Sequence, residues 1–345
     1  MPGIKELKTR IKSISGTRKV TRAMQMVSAA KMRKSQDATT RSRTYSSLAW
    51  ELITNLTSHP IPESGVQPTD IRDSESSIVL DPGSRMHSAG VDYLLRSYPQ
   101  ATKIAIVILT TNRGMVGSLN SNLMGVVQKV VSESLSGSEP IYRLQPINGH
   151  ATRQEITVDF VTYGRKGRDF VIRSHKEVLA DFEKFDRTIS TQDILPIAEF
   201  ITKLYQSGKY QKVIIIYNHF VSTLLQKPTV KQLLPFASER VQGTADRVQP
   251  LHAEPSNQNP TDYLFEPDPT EVLNHLIPRI IESQIYQTIL ESEASEQSAR
   301  MVMMKNATEA AGDLISDLTL TYNKLRQNKI TTELAEITAG KIALE

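Results

Sequence analysis

Three stretches of the sequence carry residue types that could do chemistry. The first is a glycine-bearing loop, Arg113-Gly114-Met115-Val116-Gly117-Ser118. It follows the apolar run Lys103 to Leu109 and precedes a segment of helical character. A strand–loop–helix passage can turn backbone N–H groups toward a phosphate. The full fingerprints, GxxxxGK[ST] or GxGxxG, are absent. Two glycines three apart equally make a tight strand-to-helix turn. The second stretch is Gly164-Arg165-Lys166-Gly167-Arg168. Three bases around two glycines suit an anion, or a solvated basic turn. The third is the N-terminal arm. Residues 1–43 hold twelve basic side chains against Glu6 and Asp37, a net +10, whereas the whole chain is only +4. The remainder therefore carries −6. Such an arm implies an anionic partner: nucleic acid, lipid or an acidic protein segment.

Other chemistries find no constellation. The seven His residues (59, 87, 150, 175, 219, 252 and 275) show no i, i+4 pair and no ligand motif. There is no Cys, so thiolate metal sites, disulfides and a Cys nucleophile are excluded. No GxSxG elbow offers a Ser nucleophile. Glu291 and Glu293 read as a solvated helix face. No run approaches the ~18 apolar residues of a membrane span. A targeting peptide is not expected, because the helical pattern of the arm runs far past a plausible cleavage point. A membrane-surface helix would carry large Leu, Phe or Trp anchors, and the only Trp, Trp50, lies far down this helix.

The elements that would position these residues are two long helices around an α/β layer. Residues 3 to about 57 carry Ile4, Leu7, Ile11 and Ile14 at 3-4-3 spacing. Val20, Met24 and Val27 resume the stripe after a phase slip near Gly16. From Thr270 the chain turns helical again, with Pro278 expected to kink the first turns. Met304, Ala307, Ala311, Leu314, Leu318, Thr321 and Leu325 keep heptad spacing there. Ile330, Leu334 and Ile337 follow after a shift. Neither stripe can be buried alone, so the two helices are expected to pair antiparallel as a rod. Between them, strands are expected at 103–109, 156–163 and 212–217, with Val221 to Gln226 turning back. Helices are expected after Asn120 and over 193–207. Alternation of this kind gives parallel pairing. The division is 1–58 N-terminal coiled-coil helix, 59–101 insertion, 102–236 α/β base, 237–270 linker and 271–345 C-terminal coiled-coil helix.

The two ends also carry a resemblance. Ile4-Lys5-Glu6-Leu7-Lys8-Thr9-Arg10-Ile11 and Thr17-Arg18-Lys19-Val20-Thr21-Arg22-Ala23-Met24 resemble the N-terminal helix of the ATP synthase γ family. Ala294-Ser295-Glu296-Gln297-Ser298-Ala299-Arg300-Met301, Tyr322-Asn323-Lys324-Leu325-Arg326-Gln327 and Ile330-Thr331-Thr332-Glu333-Leu334-Ala335-Glu336-Ile337 resemble its C-terminal end. The loop Asn112 to Asn120 is similar to the family's Asp-Arg-Gly-Leu-Cys-Gly turn in outline. The Cys-bearing insert of the chloroplast form is absent.

The resemblance implies a non-catalytic central stalk of bacterial type without a cofactor. Its fold would be a Rossmann-like α/β domain plus two terminal helices in an antiparallel coiled coil. The helices would stand inside an α3β3 hexamer, with the base on ε and the c-ring. Membrane contact would come only through that complex, on the cytoplasmic face of a bacterial plasma membrane. No nucleic acid is implied. By match, Arg22, Met24, Arg326, Gln327, Thr331 and Glu333 would touch β and couple to it. Leu334, Ile337 and Ile342 would form an apolar bearing. Arg10, Lys12, Arg18, Lys19 and Arg33 would face acidic β segments. A coiled-coil scaffold with an α/β head and a nucleotide-binding α/β enzyme stay open as alternatives.

Overall fold

A computed structural model describes residues 3–58, 94, 98, 101–136, 157–185, 189–235 and 269–342. The elements are α1 (Ile4–Ser58), β1 (Lys103–Leu109), α2 (Leu119–Ser136), β2 (Thr157–Tyr163), α3 (Arg165–Arg173), β3 (Val178–Phe182), α4 (Leu195–Gln206), β4 (Tyr210–Phe220), β5 (Gln226–Leu234) and α5 (Pro269–Ile342). The expected insertion lies outside the described residues except for Leu94, Tyr98 and its last residue. Leu94 is fully buried in the core, and the Tyr98 ring meets Tyr205 edge-on at 5.3 Å. The expected linker also lies outside the described residues up to 268.

The five strands form one sheet in the order β3-β2-β1-β4-β5. The first four are parallel, and β5 returns antiparallel to β4. β1 is apolar on both sides because both sides are covered. Ala105, Val107 and Leu109 meet α4 and the lower part of α5. There Ile277, Ile281, Ile285 and Ile289 recur every fourth residue and so form one stripe. Ile104, Ile106 and Ile108 meet Leu123, Val127 and Val130 of α2 and Val171 of α3. Helices on both faces of a mostly parallel sheet make this a doubly wound α/β layer.

α1 and α5 pair antiparallel. The Thr21 and Thr308 hydroxyls stand 2.8 Å apart. Arg18 lies over Gly312, and Lys31 acts on Glu293. The seam of α1 differs from the expected one. Leu7, Ile14, Thr21, Ser28 and Ser35 recur every seventh residue, with Ile4, Ile11, Gln25, Met32 and Thr39 between them. No slip occurs at Gly16. Val20 and Val27, expected inside, are more than half exposed. The seam passes through Thr and Ser because small side chains let two helices approach closely. On α5, Thr308, Ile315 and Tyr322 take the inward places expected for Leu314 and Thr321. The helix continues through Pro278.

The two helices are unequal. Carried down the seam from Thr21 and Thr308, the register sets Ile4 against Leu325. Every residue from Arg326 to Lys341 is exposed. That segment spans roughly 25 Å at 1.5 Å per residue.

Candidate functional site

The carboxyl ends of the parallel strands lie on one rim of the sheet. The strand order reverses between β1 and β4, and open α/β sheets bind ligands in the crevice at that point. Here α5 crosses the rim. Ser295 Oγ donates to the Asn218 carbonyl at 2.8 Å, and Ser298 Oγ to the Thr223 carbonyl at 2.7 Å. His219 Nδ1 lies 2.7 Å from Glu291 Oε2. Val116 and Leu119 pack on Ala299.

The glycine loop after β1 serves this docking. Thr111 Oγ1 donates to the Arg113 carbonyl at 2.7 Å, and Asn120 Nδ2 donates to Thr111 Oγ1 at 2.8 Å. Gly117 is left-handed at φ 61°, and a Cβ there would press on Met303 Sδ at 3.2 Å. The loop therefore holds α5 close. A cavity of about 170 Å³ remains between it and β4, lined in part by Ser118, Asn122, Asn218 and Gln226. Small-molecule pockets start near ~300 Å³.

The basic stretch 164–168 is a helix start and not a turn. Gly164 has φ 102°, and a Cβ there would stand 2.5 Å from the Thr110 carbonyl oxygen, so only glycine fits. Arg165 faces Glu183 at 3.9 Å, and Arg168 faces Asp181 at 3.3 Å. Acids of the same layer thus balance both arginines.

Of the two carboxylates expected on a solvated face, Glu291 is buried and Glu293 is largely enclosed. Glu291 is enclosed beside His219, and Glu293 and Glu296 converge on Lys184. Lys184 follows β3 and is itself buried. Its Nζ lies 2.9 Å from Glu293 Oε2 and donates a very short hydrogen bond to Glu296 Oε2. Glu296 Oε1 accepts from Arg300 Nη2 at 2.6 Å, and Glu293 Oε1 accepts from Gln297 Nε2 at 2.9 Å. The Lys184 carbonyl accepts from Asn112 Nδ2 at 2.6 Å, and Asn112 Oδ1 accepts from the Arg165 N–H at 3.2 Å.

The charges in this cluster set one another. Burial alone would push the Lys184 pKa down, but Glu293 and Glu296 outweigh it and hold it above the ordinary lysine value. Burial opposes ionisation of Glu293, yet Lys184 holds its pKa below the ordinary carboxylate value. The neighbouring Tyr163 hydroxyl is pushed up to about 12, chiefly by burial. Sequence reasoning missed Lys184 altogether. The only available signal was the Ala294–Met301 motif, which marks its partners and not the lysine.

The residues singled out by resemblance sit along the shaft. Arg22 is exposed and Met24 half-buried on α1. Arg326, Gln327, Thr331, Glu333, Leu334 and Ile337 all lie on the exposed end of α5. Thr331 Oγ1 donates to the Gln327 carbonyl at 2.9 Å, and Glu333 pairs with Lys329 at 3.5 Å. Ile342 closes the helix, and its side chain lies outside the described residues. The structure does not bring the two contact groups together. In the seam register Met24 stands level with Lys305, roughly 30 Å below Arg326 at 1.5 Å per residue. Arg10, Lys12, Arg18, Lys19 and Arg33 are exposed, and Arg10 pairs with Glu6 at 2.7 Å.

Known proteins share this arrangement. The family described as ATP synthase matches residues 3–344. An ATP synthase gamma chain of Chloroflexus aurantiacus is 35% identical over 344 residues, covering 100% of this chain and 99% of its own. One from Haemophilus influenzae is also 35% identical, covering 100% of both. Among solved structures, a chain of the Euglena gracilis mitochondrial ATP synthase (OSCP/F1/c-ring) has the same fold. It gives a TM-score of 0.57 at 17% identity, covering 99% of this chain and 94% of that one. Matched end to end by family and by full-length relatives, the chain belongs to the ATP synthase family, among its gamma chains.

Proposed function

We propose that the chain is the central-stalk rotor subunit of an F1Fo ATP synthase. In this role it couples ion-driven rotation to the conformational cycle of the catalytic β subunits. The observation that carries the reading is the upper end of α5. Ile330, Leu334 and Ile337 are 49%, 59% and 69% exposed, on a helix with no described partner beyond Leu325. A helical stretch of this length has little stability alone in water. A surrounding ring of subunits would bury the apolar side chains and hold the helix.

Below, the shaft is built into the α/β base, so the two ends of one rod meet different partners. The upper end suits the α3β3 hexamer. There Leu334, Ile337 and Ile342 act as the bearing. Arg326, Gln327, Thr331 and Glu333 contact β, and Arg22 and Met24 do so lower down. The base suits ε and the c-ring, which places the chain at the cytoplasmic face of a bacterial plasma membrane. Its five parts follow the division into helix, insertion, base, linker and helix. The chain contributes no catalytic group and no cofactor. It acts by differential contact: an off-axis shaft meets each β differently and biases its open and closed states.

Affinity purification of the tagged chain from its source cells tests the reading. Recovery of α, β and ε with the chain is expected. A tagged chain that brings down none of them overturns it.

A further inference from the structure

Three strand-end loops and the shaft converge on one residue, Lys184. The main chain at Lys184 is tied through Asn112 to the loop after β1 and to the start of α3. Its ammonium is tied to Glu293 and Glu296 of α5. Glu293 in turn feels Lys31 of α1. All three acid and base groups at the centre are almost fully enclosed. Elsewhere α5 meets the sheet through polar contacts confined to the β4–β5 side and through the apolar face carrying Ile277 to Ile289, and apolar burial is non-directional. Such a face resists separation but gives little resistance to sliding or turning. A buried, hydrogen-bonded charge contact has one geometry and fixes register. It sits at the β3 side of the sheet, whereas Ser295 and Ser298 hold the β4–β5 side.

We propose that Lys184 is a positioning residue for torque transfer, anchoring the β3 side of the α/β layer to the shaft through Glu293 and Glu296. The proposal rests on the rotor reading above. Without the anchor the layer stays attached through its apolar face and its β4–β5 contacts. Under load, however, it slips against α5, and rotation at the foot is delivered incompletely to the tip. Hydrolysis in the head turns the shaft directly and is less sensitive to this slip.

The test uses the assembled membrane complex carrying Lys184→Met, Lys184→Arg, or the charge-balanced double variant Lys184→Met/Glu293→Gln, which leaves Glu296 paired with Arg300. ATP hydrolysis and gradient-driven ATP synthesis are measured on the same preparations. For Lys184→Met, synthesis is expected to fall about tenfold, within the usual range of a coupling free energy between two sites. Hydrolysis should stay within about twofold, so that the ratio and not the total activity moves. Lys184→Arg should recover most of the synthesis. The double variant removes one charge of each sign and keeps volume, so it should assemble but remain poorly coupled. It also carries the test if Lys184→Met does not assemble. Wild-type coupling in either the Met variant or the double variant overturns the proposal. Amide exchange of residues 182–185 in the free full-length chain gives a readout independent of the rotor. Faster exchange is expected in Lys184→Met and not in Lys184→Arg, and equal exchange in both overturns the anchor. If the wild-type chain assembles with no ATP synthase subunits, the rotor reading fails while this exchange still reads the anchor.

Discussion

Two parts of one helix follow opposite rules. Between Ile277 and Met304, α5 buries polar side chains: Gln284, Thr288, Glu291, Ser295, Glu296 and Ser298. Between Arg326 and Lys341 it exposes apolar ones: Ile330, Leu334 and Ile337. Hydropathy therefore does not decide burial along this helix; the location of the partner does. The lower part finds its partners inside the chain. Glu291, Ser295, Glu296 and Ser298 each have a matching donor, acceptor or charge, as buried polar groups require. The upper part has no partner among the described residues. Its apolar side chains belong to an interface that another molecule must complete.

The sharpest way to break the comparison is to unbalance the lower part. Glu296→Ala removes the acceptor of both Lys184 and Arg300. It leaves buried cations short of a counter-charge, a loss of about 3–5 kcal/mol for a broken buried pair. Urea denaturation of the full-length chain should show this as a lower midpoint at unchanged slope. An unchanged midpoint would mean that the cluster is less enclosed than its contacts require.

Acid and base act on the same contacts more gradually. Glu293 has a folded pKa below its ordinary 4.5. Its contribution is complete above that pH and is lost as pH falls through the folded value. Lys184 has a folded pKa above its ordinary 10.5. Its contribution is complete below that pH and is lost as pH rises toward the folded value. Stability attributable to the pair should be level between the two ordinary values and decline on either side. Urea midpoints across pH read this directly. In Lys184→Met the decline on the alkaline side should shrink.

The upper part should respond in the reverse sense. Replacing Ile330, Leu334 and Ile337 together by Ser touches no described contact. The stability of the free chain should change by no more than about 0.5 kcal/mol per site, as for other surface positions. Assembly with the hexamer, or synthesis by the assembled complex, should fall several-fold as the buried apolar area is lost. Paired denaturation and assembly measurements on one preparation separate the two effects. A large loss of free-chain stability would show that the tip folds back on the chain.

Strands β1, β2 and β4 and the two long helices are legible in the sequence because their signals are long or uniform. β1 is seven residues with an almost continuous apolar run, and α5 continues for 74 residues. β3 was not legible. It has five residues whose burial alternates between partial and none, Val178 to Phe182, so no apolar run marks it. α3 was hidden by Gly167 and four charged residues in its first five positions. Apolar character points to Val20 and Val27 for the α1 seam, whereas close packing selects Thr21 and Ser28. The rim contacts are hidden in the sequence for a related reason. Glu293 and Lys184 lie 109 positions apart, and each stands among other charges, so each alone resembles a solvated surface. Only the third dimension pairs them. The tip was legible by motif, but its exposure depends on where α1 begins relative to α5.

Gly312 stands between the two parts and gives the smallest test. It is half-buried in mid-shaft, where helix geometry does not need glycine. An ideal Cβ would lie 3.5 Å from Arg18 Cζ and 3.6 Å from its Nη2, ordinary contacts with the movable end of a long side chain. Gly312→Ala therefore removes the glycine penalty in a helix interior without a clash. A gain of about 0.5–1 kcal/mol is expected. Thermal unfolding of the full-length chain should shift upward accordingly. A shift downward would place Arg18 in a fixed seat on Gly312. Mid-shaft packing would then be as constrained as the rim below, and the change from clamped helix to free helix would begin only past Leu325.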